Sequence, residues 1–471
     1  MKTPLTPQQH AGLFTITATQ FVLVFMLSSV AVAVPALGRE FGAKAAELGL
    51  VESGYIAAVS MLLFPVTRLA DMVGRGAVFF SGIALFTVVS LLLPLTTSID
   101  AFIVLRVFQG AGGAMMVTTG LVILAELFPG QGRGRALGIS SAGVYLGLSA
   151  GPWLGGLITT HLGWRWVFYL CAVPCVACLA LALRHLPVRP RLARGQRFDW
   201  GGALLMALGM MLLTQGGTHF DTATGKAMLA GALLALAGFV AWEARADAPL
   251  LDLRLFAGNR PFAFACAVQF INYAATFGIT FLVSLYLQIA RGMSAGDAGL
   301  VLMAQPLMQA VLSPLSGSLV DRVPPHRIAT LGMGAGTLAM ALAALLGPEA
   351  PLPLVAGVLL LCGAGTASFA TANMSVIMGS VAPTHYGVAS AMTAAMRTTG
   401  MTFCLVVISV ALSVALGPAA ATAENAPQFM AAMHAVLWGF AALGAGGTVL
   451  CLYAPLRRAG QGQAPPAPPN D

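Results

Sequence analysis

The feature that most constrains this chain is a recurrence of apolar stretches about twenty residues long, the length at which a helix crosses roughly 30 Å of hydrocarbon. Fourteen can be read, at about 12–36, 50–68, 77–96, 101–125, 136–160, 166–184, 199–216, 227–244, 262–290, 297–319, 328–347, 352–378, 389–415 and 430–454. Peptide groups in lipid must be satisfied within the chain, and segments of this length do so as α-helix. Charged residues are only 8% of the 471, against about a quarter in soluble domains, and 58% are hydrophobic. The expected fold is an all-α polytopic membrane protein.

The basic residues orient it. Connections expected on one side carry Arg68, Arg75, Arg133, Arg135, the run from Arg184 to Arg197, Arg245, Arg254, Arg322, Arg327 and Arg458. The other side holds only Arg39, Lys44, Lys226 and Arg291. Since lysine and arginine mark cytoplasmic loops, both termini are expected inside a cell (inner) membrane crossed many times. The net charge of +8 is then explained by loops facing anionic lipid, with no nucleic acid needed. Ala31, Val32 and Ala33 resemble a signal-peptide cleavage site, but the apolar run is too long, and a retained first helix is expected. Cys171, Cys175 and Cys178 share a helix face with no histidine or carboxylate beside them, which suits packing rather than a metal.

Glycine costs about 1 kcal/mol and proline about 3 kcal/mol in a helix interior relative to alanine. The fifth apolar segment nevertheless reads GLSAGPWLGG over 147–156. Gly143, Gly147, Gly151 and Gly155 recur every four residues, a face on which another backbone can approach closely, and Pro152 adds a weak point. Two further patterns repeat eight helices apart. LADMVGR (Leu69 to Arg75) is echoed by LVDRVPPHR (Leu319 to Arg327), and QGAGGA (Gln109 to Ala114) by CGAGTA (Cys362 to Ala367). These repeats divide the chain into a six-helix bundle over 1–184, a linker and inserted helix pair over 185–261, a second six-helix bundle over 262–458 and a disordered tail over 459–471.

Asp71, Gly74 and Arg75 match the loop signature of the major facilitator superfamily, with Thr67 where its first glycine is usual and Gly76 where a base is usual. Arg106, Gln109 and Gly110 match that family's fourth-helix motif. Gly147, Gly151, Pro152, Gly155 and Gly156 match the fifth-helix motif of its antiporters. Trp164–Trp166, Asp199–Gly201 and Pro249–Phe256 resemble its fourteen-helix drug:proton antiporter branch. The resemblance implies two bundles of six helices plus two inserted ones, rocking about a central site. It implies export of small organic compounds in exchange for protons, energised by a proton gradient without a cofactor, as a monomer or with accessory export proteins.

Candidate roles follow. Asp71, Gly74 and Arg75, with the repeat at Asp321 and Arg322, suit a latch between helix ends, for which Glu126, Arg133 and Arg135 are available partners. Arginine inside a bilayer costs at least about 2.5 kcal/mol, so Arg106 either faces a cavity or snorkels to the headgroups, and the resemblance implies a part in proton coupling. Relatives in this branch carry an acid in helix one where this chain has Met26, which leaves Glu52 as the nearest substitute carrier. Gln20, Ser28, Tyr55, Gln269, Asn272, Tyr273, Gln305, Gln309, Asn373 and Arg397 are candidates for the substrate cavity, with bonding between helices as the alternative for each. With Arg106 and Arg397 opposed by no central acid, neutral, zwitterionic or anionic compounds fit at least as well as organic cations.

Rival classes are a uniporter, a membrane receptor that binds without transport, and an enzyme. GLSAG fits the GxSxG pattern of serine hydrolases, with Ser149 as nucleophile and His161 as base, but that elbow needs a strand, a sharp turn and a helix. No enzymatic activity is expected. ATP-driven export is unsupported, because TATGKA around Lys226 lacks the first glycine of a phosphate loop.

Overall fold

The computed structural model describes residues 5–43, 45–129, 132–186, 198–218, 222–246, 249–251, 256, 258–293, 295–416 and 425–456. Most of the arginine-rich run over 184–197, and the tail over 459–471, lie outside the described residues. Among the described residues the regular elements are helices. They are α1 (Pro7–Phe41), α2 (Ala45–Val73), α3 (Arg75–Leu92), α4 (Ile99–Leu127), α5 (Arg133–His161), α6 (Arg165–His185), α7 (Trp200–Thr218) and α8 (Ala223–Glu243). They continue as α9 (Arg260–Thr276), α10 (Ile279–Ile289), α11 (Ala295–Leu302), α12 (Ala304–Val320), α13 (Pro325–Ala343), α14 (Leu352–Gly379), α15 (Tyr386–Leu416) and α16 (Ala426–Leu456).

Local chemistry sets many of the ends. Thr6 and Gln9 cap α1 reciprocally, with Pro7 in the first turn, and Gly42 closes it in a left-handed conformation. Gly74 separates α2 from α3 at φ 116°, a backbone angle that a side chain would strain. Inside the helices, hydroxyls such as those of Thr87, Ser90 and Thr118 donate to the carbonyl four residues earlier, so they add no unmet polarity.

Eleven spans are long and apolar enough to cross a membrane. The fourteen expected segments exceed these by three, because helices α5, α7 and α13 are not among the eleven. The ninth and tenth segments are single spans, each interrupted into two helices. Pro306 cannot coexist with a helical carbonyl at Leu302, and the chain breaks at Met303. At Gly278 a Cβ would lie 2.8 Å from Cys404 Sγ, so α15 leans into the break between α9 and α10.

Packing sorts the helices. Helices α1–α6 pack chiefly on one another, as do α9–α16, while the α7–α8 hairpin rests on α2 and α15. The glycine stripe of α5 lies along α1. Cβ atoms at Gly143 and Gly147 would come within 2.8 and 2.5 Å of the Thr17 and Phe21 carbonyls, and one at Gly155 within 2.6 Å of Ser29 Cβ. Gly156 meets only Val32, at 3.5 Å, and sits off this seam. Pro152 does not break α5, which runs unbroken past it.

Candidate functional site

The two groups meet where α5 crosses α12 and α2 approaches α15, and the close approaches and hydrogen bonds of Gly134, Gly138, Arg133 and Gly387 between them lie at one end. That end gathers Arg68, Arg75, Arg133, Arg135, Arg322 and Arg327, and is called the basic end. Gly134 and Gly317 bring the α5 and α12 backbones together, and Gly138 abuts Ser313 one turn deeper. Toward the far end the second group has a buried core made of its own residues alone. Helices α10 and α11 make their substantial contacts within their own group, and α5 packs on α12 rather than α11.

Two acids sit in this seam. Asp321 accepts from the backbone N–H groups of Gly134 at 3.0 Å and Arg135 at 3.2 Å, the first turn of a helix in the other group. A carboxylate there meets unpaired donors and the positive end of the helix dipole. Its repeat counterpart Asp71 lies against the first turn of α15, with both oxygens within 3.5 Å of where a Gly387 Cβ would be. Asp71 also pairs with Arg75 at 3.0 Å, and Arg75 bridges to Glu126 and, at 3.5 Å, to the Pro383 carbonyl. Both Asp71 and Arg75 are buried.

The partners differ from those expected. Arg322 is exposed and makes no ion pair among the described residues, because Asp321 turns to backbone amides instead. Arg133 donates to the Tyr386 hydroxyl at 3.0 Å rather than to Asp71, and Arg135 meets Asp321 through its backbone. Of the three suggested partners, Glu126 joins the ion cluster.

Arg106 is sealed inside the first group, at 0% exposure, rather than snorkelling or facing a cleft. Its Nε donates to the Val51 carbonyl at 3.1 Å and its Nη1 to Gln109, which passes a bond to Ser90 at 2.8 Å. Its guanidinium lies 4.5 Å from the Tyr55 ring centre, while Nη2 has no partner. No carboxylate forms a salt bridge with it among the described residues; half-buried Glu52 acts on it from beyond that range. Met26, at 0% exposure, is part of the apolar core.

Most of the cavity candidates are instead bonded inside one group. Asn373 Nδ2 donates to Gln269 at 2.8 Å and to the Ala265 carbonyl at 3.0 Å. Gln305 takes a bond from Thr280 at 2.6 Å, and Gln309 donates to Thr366 at 2.7 Å. Ser28 is tied to Val24 at 2.9 Å in the α1–α5 seam, Tyr55 lies under Arg106, and Gln20 is buried. The reason is general: in an apolar bundle a polar side chain that can reach a neighbouring helix pairs with it. Asn272 is buried with neither side-chain atom partnered. Tyr273 and Arg397 remain half-buried.

Sequence reasoning missed two constellations. Tyr145 of α5 and Tyr273 of α9 are near enough across the seam to interact, with Arg397 of α15 acting on Tyr145 electrostatically. A hydroxyl-bearing ring set among the α5 glycines was the available signal. In the hairpin, buried Glu243 accepts from the Leu251 N–H at 3.0 Å, and its other oxygen has no partner. Beside it Asp199 caps Gly202 at 2.8 Å and accepts from Trp242 at 3.0 Å, which gives the first residue of the motif at 199–201 a structural task.

At the far end, Arg165 does more than anchor at an interface. It forks onto Glu40 at 2.5 and 2.9 Å and donates to the Pro94 carbonyl at 3.0 Å, and Trp164 adds a bond to Glu40 at 2.7 Å. Arg165, and secondarily Trp164, hold the Glu40 carboxyl below the usual carboxylate range. Ser149 is buried mid-helix, and His161 lies about 18 Å further along the same helix, too far to act as its base.

Two helical groups closing on a shared seam, with repeated acids on the helix ends, define a multi-pass membrane transporter of two-bundle type. The chain belongs to the Major Facilitator Superfamily, whose profile matches residues 16–403 and, in a second match, 265–470. Among its relatives is the cephamycin export protein of Amycolatopsis lactamdurans, 32% identical over 417 residues, covering 86% of each chain. The multidrug resistance protein Stp of Mycobacterium tuberculosis is 32% identical over 394 residues, 81% of this chain and 72% of that one. A riboflavin transporter of Clostridioides difficile is 28% identical over 370 residues, 78% and 80% of the two chains. The fold is similar to the crystal structure of the human organic anion transporter MFSD10, at TM-score 0.69 and 14% identity, over 94% of this chain and 99% of that one.

Proposed function

We propose that the protein exports small organic compounds in exchange for protons by alternating access across the cell membrane. The observation that carries this reading is the one-sided seam. At the basic end the two groups are joined by close backbone contact and by two acids seated on opposing helix starts, while α10 and α11 stand away from the opposite group. Lysine and arginine distribution supports a cytoplasmic position for that end, and in this reading the described state is closed inward. Asp71 and Asp321 then serve as a latch that must release before the 1–184 and 262–458 bundles rock. All fourteen helices cross the membrane in this reading.

Export is supported by the glycine and proline pattern of α5 and by relatives named as export and resistance proteins. Proton coupling is assigned to Glu52, half-buried within the field of Arg106. A second reading, uncoupled transport, is favoured by Met26, apolar and buried where an acid is usual in this branch.

The deciding experiment is a substrate-panel flux assay in proteoliposomes, with and without an imposed pH gradient, on the wild type and Glu52→Gln. Gradient-driven flux that Glu52→Gln abolishes supports the coupled exporter. Flux indifferent to the gradient supports the uncoupled reading, and binding without flux supports a receptor. Gradient-driven flux unchanged in Glu52→Gln removes Glu52 as the carrier.

A further inference from the structure

We propose that the middle of the cleft is a binding subsite for an organic anion, built from Arg397, Tyr145 and Tyr273; this deepens the exporter reading above and rests on it. The three residues come from α15, α5 and α9, helices that all start at the basic end. Counting residues from those starts puts each about 17 to 20 Å along its helix, a common depth near the centre of a bilayer core. Tyr145 and Tyr273 are near enough across the seam to interact, and Arg397 acts on the first. All three are half-buried. Gly400 lets α15 settle against α9, where a Cβ would sit 3.1 Å from Tyr273 Cβ, and this places Arg397 one turn away on the same helix.

The charge is what selects the ligand. No acidic residue occurs in α5, α9 or α15, which carry the three side chains, nor in α12 or α14, while α2 and α4, which also pack on α15, carry theirs toward their ends. Arg397 forms no salt bridge among the described residues. The remaining acids are engaged or remote. Asp71 and Glu126 are with Arg75, Asp321 is on the α5 amides, Glu40 is with Arg165, Glu243 and Asp199 are in the hairpin, and Glu47, Glu52, Asp100, Asp297 and Glu349 lie toward the far end. Arg106, the other intramembrane cation, is fully enclosed and cannot meet a substrate.

A lone guanidinium in a dry centre is costly, and a planar fork of donors matches carboxylate, sulfonate or phosphate oxygens. The two phenols supply further donors and aromatic faces beside it. An organic cation placed there meets a like charge with no acid to offset it. Closure of the cleft around an anion neutralises Arg397 as water leaves, which makes anion binding favour the occluded state.

The test is fluorescence anisotropy of fluorescein, an anion, and ethidium, a cation, titrated with purified full-length protein at mildly alkaline pH. Fluorescein binding tighter than ethidium is expected. Arg397→Gln should weaken fluorescein about tenfold to a hundredfold, the loss of one or two charged hydrogen bonds, while Arg397→Lys keeps part of the affinity and Tyr145→Phe loses less. Unchanged melting of Arg397→Gln shows that it is folded, and the comparison of the two dyes on the wild type needs no variant. Ethidium binding at least as well as fluorescein, binding of neither dye, or full fluorescein affinity in a folded Arg397→Gln overturns the anion subsite. Parallel dye flux in proteoliposomes separates the two levels: ethidium transport unaffected by Arg397→Gln overturns the subsite and leaves the exporter, whereas no flux of any probe overturns the exporter and the subsite with it.

Discussion

Gly134→Ala should open the basic end without weakening the bundle that contains it. The added Cβ would sit 2.6 Å from the Gly317 carbonyl oxygen, 2.9 Å from Asp321 Oδ1 and 3.0 Å from Val320 Cγ1, all on the opposing helix. Ordinary contact to a Cβ starts at 3.4 Å, so α5 and α12 must part by several tenths of an ångström. Overpacking of this kind costs about 1–3 kcal/mol. Strain on the two Asp321 bonds adds to it, since they hold the same pair of helices. Alanine meanwhile favours helix over glycine by up to about 1 kcal/mol, a gain for α5 that is independent of the seam. The closed state should therefore lose about 5- to 150-fold in population relative to the open one, with little change in melting temperature. Thr67, buried against Gly387 at the same end, reports this directly. A cysteine placed there should react with maleimide faster by a comparable factor in the Gly134→Ala background. Gly143→Ala, which presses on α1 within one bundle, should instead lower the melting temperature without raising the labelling rate. Unchanged labelling in Gly134→Ala, or identical behaviour of the two variants, would refute the assignment of Gly134 to a seam that opens.

Two further outcomes concern elements outside the seam. Glu243→Ala leaves the buried Leu251 N–H without its acceptor and should cost about 1–3 kcal/mol in thermal denaturation of the purified protein, whereas Glu243→Gln keeps an acceptor and offers Asp199 a donor. Equal loss in both variants would show that the bond is not the cause. Glu40, held below its usual range by Arg165 and Trp164, contributes stability that is complete above its unfolded value and lost as pH falls through its folded one. Being partly exposed, the pair is worth at most about 1 kcal/mol. Glu40→Gln should thus melt slightly below the wild type near neutrality, and the gap should close on acidification past about pH 4. A gap that persists in acid would place its origin elsewhere.

Several parts of the site were legible in the residues because their constraints are local. The every-fourth glycines of α5 could only serve a close helix contact, and Gly74 between Asp71 and Arg75 marked a turn that the backbone angle requires. The destinations of polar side chains were not legible. Gln269, Gln305, Gln309 and Asn373 each carry an amide in an apolar helix, and nothing in their spacing tells whether it faces a cleft or a neighbouring amide. Arg106 and Arg397 posed the same ambiguity and resolved oppositely, one sealed under Tyr55 and the other half-open beside Tyr273. Asp321 could be matched to Asp71 by repeat, yet its partner is a pair of amides that carry no sequence signature at all.

What the sequence by itself determined is the solvent, the helical class and the repeat. Those follow from the length and apolarity of segments, the helical period and the recurrence of short motifs, all properties of neighbouring residues. Only the tertiary structure decided which end of the molecule is shut, which acids meet which helix starts, and which arginine is free to meet a ligand. Each of these depends on residues more than a hundred positions apart arriving at one depth, and two bundles can arrive there in more than one arrangement without changing a single local preference.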